Sequence, residues 1–160
     1  MEAIITISPI CQKGTNMKKI LIIALTVTSL VGCVSQETIA LRQNAINEAQ
    51  NELSKARENA TITCINKRSC EKAFSLAKIY VQENADMKIQ FSDDTIVSTY
   101  NPIKYGYVGL RASKIPGTGD SSTIELVASC VGMENQFTDC ARRVAPIYKG
   151  FRPFIESKLK

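Results

Sequence analysis

The chain has 160 residues, with 20 Lys and Arg against 15 Asp and Glu for a net charge of +5. So mild a balance points to no particular partner and gives no reason to expect nucleic acid. There is no histidine and no tryptophan, which removes the commonest general base, the commonest metal ligand and any ordinary Ser-His or Cys-His nucleophile.

The first element in chain order is Met17 to Cys33, MKKILIIALTVTSLVGC. Lys18 and Lys19 hold its start on the cytoplasmic side of a membrane. Ile20 to Val31 is an apolar run of signal-peptide length, shorter than the roughly 20 residues a spanning helix needs. Small Gly32 before Cys33 suits a cleaving enzyme with a narrow pocket. The stretch resembles the signal peptide of a bacterial lipoprotein, and Leu30-Val31-Gly32-Cys33 resembles its lipobox. The resemblance implies that Cys33 is lipidated and becomes the mature N-terminus. Several acyl chains anchor stably where one does not, because each buried methylene contributes about 0.8 kcal/mol. The competing reading is a buried core helix with an incidental cysteine. Residues 1–16 precede a better start at Met17 and read as an upstream start or an extended n-region. The expected divisions are 1–16, a signal peptide over 17–32, an anchor and helical tether over 33–59, and a domain over 60–160.

Four cysteines follow the anchor: Cys64, Cys70, Cys130 and Cys140. An even number in an exported chain reads as two disulfides, with three pairings possible. The local pairs Cys64–Cys70 and Cys130–Cys140 are preferred, since each clips a strand end to the start of the next helix. Zinc is the rival, but it usually takes cysteines two to four residues apart within a pair, and these gaps are longer. No metal and no cofactor is expected.

Glu37 to Asn59 has neither Gly nor Pro and predicts a helix. Ile39, Ile46, Ala49, Leu53, Ala56 and Ala60 form a narrow seam of heptad spacing. It reads as a stalk, or else as a marginal solvated helix or one laid against its own domain, because an isolated helix of this length is barely stable. Ala60 to Ile65 alternates and predicts a strand. Ser69 is the expected N-cap of a helix from Cys70 to Glu83, which ends at a left-handed Asn84. Its apolar face is Ala73, Phe74, Ala77, Tyr80 and Val81.

A run of strands comes next: Met87 to Phe91, Thr95 to Tyr100, Tyr105 to Ile115, and Ser122 to Val131. Asn101-Pro102 and the loop Pro116 to Asp120 punctuate it. Tyr107, Gly109, Arg111 and Ser113 share one face of the third strand, and Val108, Leu110 and Ala112 the other. In the last, Ile124, Leu126, Ala128 and Cys130 share a side. Thr138 is the expected cap of a closing helical region, which Pro146 kinks or ends and Gly150 separates into two parts. Val144, Tyr148, Phe151, Phe154, Ile155 and Leu159 would pack on the sheet. The order predicts an α+β fold: a mainly antiparallel sheet with helices on one face, preceded by a helical tether.

Cys64, five residues, Cys70, then AFSLAKIYVQENADMKIQFSDDTIVSTYNP resembles a group of small exported proteobacterial proteins and lipoproteins. They share a Cys-x5-Cys unit before a helix, a block around KIQ and TYNP, and a later strand ending in cysteine. The likeness spans Ala60 to Cys140. It implies an exported, disulfide-bonded domain and carries over no catalytic residue.

Tyr100, Tyr105 and Tyr107 are the one aromatic cluster. With Arg111, Asn101 and Lys104 they could stack on a sugar or on a partner's side chains, or else pack under the closing helix. Asp93-Asp94 reads as turn chemistry before it reads as a metal or acid–base pair. Gly117-Thr118-Gly119 lies between strands and opens no helix, which excludes a phosphate loop. Arg142, Arg143, Lys149, Arg152, Lys158 and Lys160 make a basic C-terminus, either a contact for anionic envelope polymers or a solvated helix face.

These readings converge on a non-enzymatic outer-membrane lipoprotein facing the periplasm, held by its lipid anchor, that binds an envelope protein or a cell-wall component. Val34 after the cysteine agrees with outer-membrane sorting in the enterobacterial scheme. The alternative is a defence or exclusion lipoprotein that inhibits a lytic enzyme or masks a receptor. An enzyme working through Lys, Tyr or Asp is the third reading. Cys33→Ser should abolish acyl-chain labelling of the chain in cells; labelling and membrane retention that survive the substitution would remove the lipoprotein reading.

Overall fold

The alternating runs of the sequence pair into one sheet, and the apolar stripes of the helical runs cover one side of it. A computed structural model describes residues 36–131 and 137–159. The leader and Cys33 lie outside the described residues. The elements are α1 (Gln36–Arg57), β1 (Thr61–Cys64), α2 (Lys67–Asn84), β2 (Ile89–Ser92), β3 (Ile96–Thr99), β4 (Val108–Pro116), β5 (Ser122–Cys130) and α3 (Phe137–Leu159). The fold is α+β. The sheet order is β1-β5-β4-β3-β2 and every adjacent pair is antiparallel. The last four strands form a meander, and α2 carries the chain from one edge strand, β1, to the other, β2.

Alternation decides which side chains meet the helices. Ile62, Val97, Val108, Leu110, Ala112, Ile124, Leu126 and Ala128 are buried on one face of the sheet. Ala73, Phe74, Ala77 and Tyr80 of α2, and Val144, Tyr148, Phe151 and Ile155 of α3, join them in a single core. The apolar faces read from the sequence are therefore the ones that pack. Gly150 lets α2 come close: a Cβ there would stand 2.6 Å from Tyr80 Oη. The Tyr80 hydroxyl donates to the Ile147 carbonyl at 2.7 Å, and burial pushes its pKa up to about 12.

Both local disulfides form, Cys64–Cys70 and Cys130–Cys140. The first joins the end of β1 to the first turn of α2. The second joins the end of β5 to the first turn of α3.

The second half of α1 lies along α3. Ala49, Leu53 and Ala56 are buried there, whereas Ile39 and Leu41 near its start are exposed. Glu52 pairs with Lys149 at 2.8 Å, and that ammonium holds its carboxyl below the usual range. Arg57 stands over the Tyr148 ring. The seam is thus spent within the domain over most of its length.

Four boundaries differ from the sequence reading. The cap of α2 is Asn66, whose side chain accepts the Ser69 N–H at 2.9 Å; Lys67 and Arg68 join the helix, and Ser69 sits in its first turn. Its end at Ala85 is extended, and Asn84 instead donates its side-chain amide to the Tyr80 carbonyl. Tyr105 and Tyr107 precede β4: Tyr107 N donates to Lys104 O in a turn at Gly106, whose φ of 76° suits a residue without Cβ. Finally, α3 runs unbroken from Phe137 to Leu159, with Thr138 inside its first turn and Pro146 and Pro153 inside the helix. Both prolines are exposed, so water can take the carbonyls that lose their donors. The buried stripe at spacings of three and four holds the helix together across them.

Beyond Leu126, whose N–H donates to Ala60 O, β5 has no neighbouring strand on that side among the described residues. The Tyr148 hydroxyl, fully enclosed in the core, accepts the next free donor, Ala128 N–H, at 2.9 Å. Tyr148→Phe should leave that N–H without a partner and lower the unfolding free energy by about 1–3 kcal/mol, measured by urea denaturation; a change within error would mean that water reaches the site.

Candidate functional site

Two features stand out on the surface. The first is a cleft of about 540 Å³ between the turn that leads into β4 and the first turns of α3. Tyr105, Gly106 and Tyr107 form one wall; Asp139, Arg142 and Arg143 form the other, with Asp86 beside them. The Tyr105 hydroxyl donates to Asp139 Oδ2 at 2.7 Å, which holds its pKa above the usual phenol range. Arg142 pairs with Asp139 at 3.2 Å. Arg143 pairs with Asp86 at 2.7 Å, and the same carboxylate oxygen accepts the Val108 N–H. Val131 makes an isolated bridge to Tyr105 beyond the strand ends, and Cys130 pairs with Val108 in the sheet. The Cys130–Cys140 bond therefore ties the aromatic wall to the helical wall.

The second feature is the sheet face that no helix covers among the described residues. A trough of about 580 Å³ runs along it, lined among others by Ile96, Arg111, Ser113, Ile115, Glu125 and Val127. Register places Phe91, Ser98, Arg111 and Val127 in one row across four strands. Phe91, Ile115 and Val127 are 51%, 46% and 43% exposed, so this outer face carries large apolar groups where a solvated antiparallel sheet usually carries polar ones. At its far end the Tyr100 to Pro102 segment crosses over β4; a Cβ on Gly109 would stand 3.0 Å from both Pro102 Cδ and Tyr100 O.

The tyrosine cluster expected from the sequence is divided. Tyr105 and Tyr107 line the cleft, Arg111 lines the trough, and Tyr100 lines neither. Asp86 and Asp139 were missed because neither stands out until the fold brings it beside an arginine distant in sequence or beside Tyr105. Ile115 and Val127 left a trace as apolar residues on the polar side of alternating strands, whereas Phe91 alternates with Met87 and Ile89 in sequence and comes opposite Ser98 after an irregularity between Ile89 and Phe91.

The basic C-terminus is not a free cationic face. Arg142, Arg143 and Lys149 are in ion pairs, and Lys158 lies over the Phe154 ring. Arg152 gives its backbone N–H to Asn59 O, its Nε to Thr61 O at 2.9 Å and its Nη2 to Glu58 O. Lys160 lies outside the described residues. Asp93 accepts the Thr95 and Ile96 N–H groups at 2.7 Å each, and these bonds hold its carboxyl below the usual range. That is turn chemistry between β2 and β3.

Among the described residues, no group of three Cys, Asp or Glu is placed to hold a metal ion, and no helix is long and apolar enough to cross a membrane. Comparison with protein-family models, curated proteins and solved structures finds no match to this chain. Replacing Cys130 and Cys140 together by alanine should lower the unfolding free energy by about 2–4 kcal/mol and bring the Tyr105 hydroxyl back toward an ordinary phenol pKa, followed by ring NMR at alkaline pH; an unmoved Tyr105 titration would show that the two walls hold without the bond.

Proposed function

We propose that the chain is a non-enzymatic envelope lipoprotein, anchored through Cys33 in the outer membrane and facing the periplasm, whose domain binds another protein through the open face of its sheet. The leader Met17 to Cys33 supports the anchor. The two disulfides suit an oxidising compartment. The observation that carries the binding role is the exposure of Phe91, Ile115 and Val127 on this one face, with Ser98 and Arg111 between Phe91 and Val127 and with Ile115 opposite Thr123. Large exposed apolar side chains gathered on one sheet face support an interaction site.

Charge narrows the partner. Arg111 and Glu125 stand exposed on this face, and among the described residues their side chains make no ion pair or hydrogen bond. A complementary protein surface presents an apolar ridge between an acidic and a basic group, which fixes its register on the sheet. An inhibitor of a lytic enzyme, or a mask over a receptor, would use the same face, and the identity of the partner separates these roles from a structural one.

A photoreactive side chain placed at position 127 of the anchored protein in intact cells should give one discrete adduct. Arg111→Glu should abolish it, and the same group at position 157 on the exposed side of α3 should give none. Absence of the adduct at 127, or identical adducts from both positions, would overturn the reading.

A further inference from the structure

The cleft between the Tyr105–Tyr107 turn and α3 lies apart from the sheet face and calls for a different ligand. Its polar wall holds two guanidinium groups and two carboxylates, each cation already paired with an anion. An anionic ligand that reaches Arg142 or Arg143 meets Asp139 or Asp86 beside it, and a cationic ligand meets the reverse. Neither sign gains net attraction. A neutral group that donates and accepts side by side suits this wall, because it bonds carboxylate and guanidinium together without separating them.

The opposite wall is aromatic. Tyr105 is 50% exposed and Tyr107 40%. Lys104 stands 5.7 Å from the Tyr107 ring centroid and is not part of the cleft lining. Between the rings, Gly106 carries no side chain, and a Cβ there would meet nothing within 4 Å. This leaves a recess. A ring with one apolar C–H face and a rim of hydroxyls matches it: the face lies against a phenol and the rim meets the ion pairs.

The site is also held in advance of any ligand. Tyr105 is fixed at its hydroxyl by Asp139 and at its backbone by Val131. Asp86 is fixed by the Val108 N–H and by Arg143. The Cys130–Cys140 bond locks the two walls to each other. Such preorganisation removes much of the ordering cost of binding a small polar ligand.

We infer that this cleft is a saccharide site, taking a neutral pyranose unit of a glycan with its ring face on Tyr107 or Tyr105 and its hydroxyls on the Arg142–Asp139 and Arg143–Asp86 pairs. That the glycan is an envelope polymer rests on the location proposed above; the cleft chemistry itself does not.

The test is calorimetry and tyrosine-ring NMR on the whole chain in detergent, with the trimer of N-acetylglucosamine as probe and maltotriose beside it. The expected result is weak, saturable binding that shifts the Tyr105 and Tyr107 rings. Tyr107→Ala should weaken it about tenfold with the thermal unfolding midpoint retained, and Arg142→Ala should weaken it severalfold. Binding of the acetylated trimer alone assigns the acetamido group a contact in the cleft, and equal binding of both assigns the hydroxyl rim; either supports the site. No saturable binding of either sugar, or binding untouched by both substitutions, overturns it. Should Tyr107→Ala fail to fold, ring shifts in the unsubstituted chain that fall on tyrosines other than Tyr105 and Tyr107 overturn it equally. Failure here leaves the adduct at position 127 unaffected, so the saccharide site and the sheet-face reading fail separately.

Discussion

The shortness of β1 sets the terms for the rest of the domain. It pairs with β5 only from Thr61 to Cys64, although β5 continues to Cys130 and β4 matches it residue by residue. Backbone donors left alone in an apolar core cost free energy comparable to a lost hydrogen bond. One helix, α3, resolves this. Tyr148 reaches through the core to Ala128 N–H, and one turn later Arg152 gathers the carbonyls of Glu58, Asn59 and Thr61 where α1 ends and β1 begins. A residue that looked like one more surface cation is therefore part of the framework. The same helix receives α1 along its other side, which explains why a narrow, alanine-rich seam suffices: small side chains let the helices approach, and Glu52–Lys149 adds only the modest stabilisation of an exposed pair.

That arrangement also fixes what is left outside. With α2 and α3 on one face, no helix among the described residues covers the other, and the meander brings Phe91, Arg111 and Val127 into line across it. The first turns of α3 extend past the core to the mouth of β4. There the Cys130–Cys140 bond draws Asp139, Arg142 and Arg143 against the Tyr105 turn. An apolar face and a charge-balanced aromatic cleft thus arise from one placement of one helix, at separate sites. The two surfaces differ in chemistry: the face exposes Phe91, Ile115 and Val127, and the cleft sets each of its arginines against a carboxylate.

Much of the fold was legible in the residues. Ile124, Leu126 and Ala128 alternate, Ala73, Phe74, Ala77, Tyr80 and Val81 recur at helical spacing, and each set proved to be a buried face. The favoured cysteine pairing also formed, because residues so close in sequence have few other partners within reach. The misses were local competitions between similar signals. Asn66 and Ser69 can both cap a helix, and the chain uses the earlier one. Pro146 and Gly150 both read as breaks, yet the packing of Val144, Tyr148, Phe151 and Ile155 outweighs them. The alternation of Tyr105 and Tyr107 with Val108 looked like strand continuing, whereas the turn at Gly106 ends the pattern.

The sequence by itself determined the class of fold, the inward faces, the disulfide-bonded character of the domain and the candidacy of its tyrosines. All of these rest on periods of two and 3.6 residues, or on short separations along the chain. Only the tertiary structure decided which of those tyrosines share a site, that Arg143 meets Asp86 from 57 residues away, and that Arg111 belongs to a different surface. Such pairings depend on where β4 starts and how α3 lies across the sheet. Those are properties of the packed whole, because a local pattern says which face a residue occupies and carries no record of what the rest of the chain brings to it.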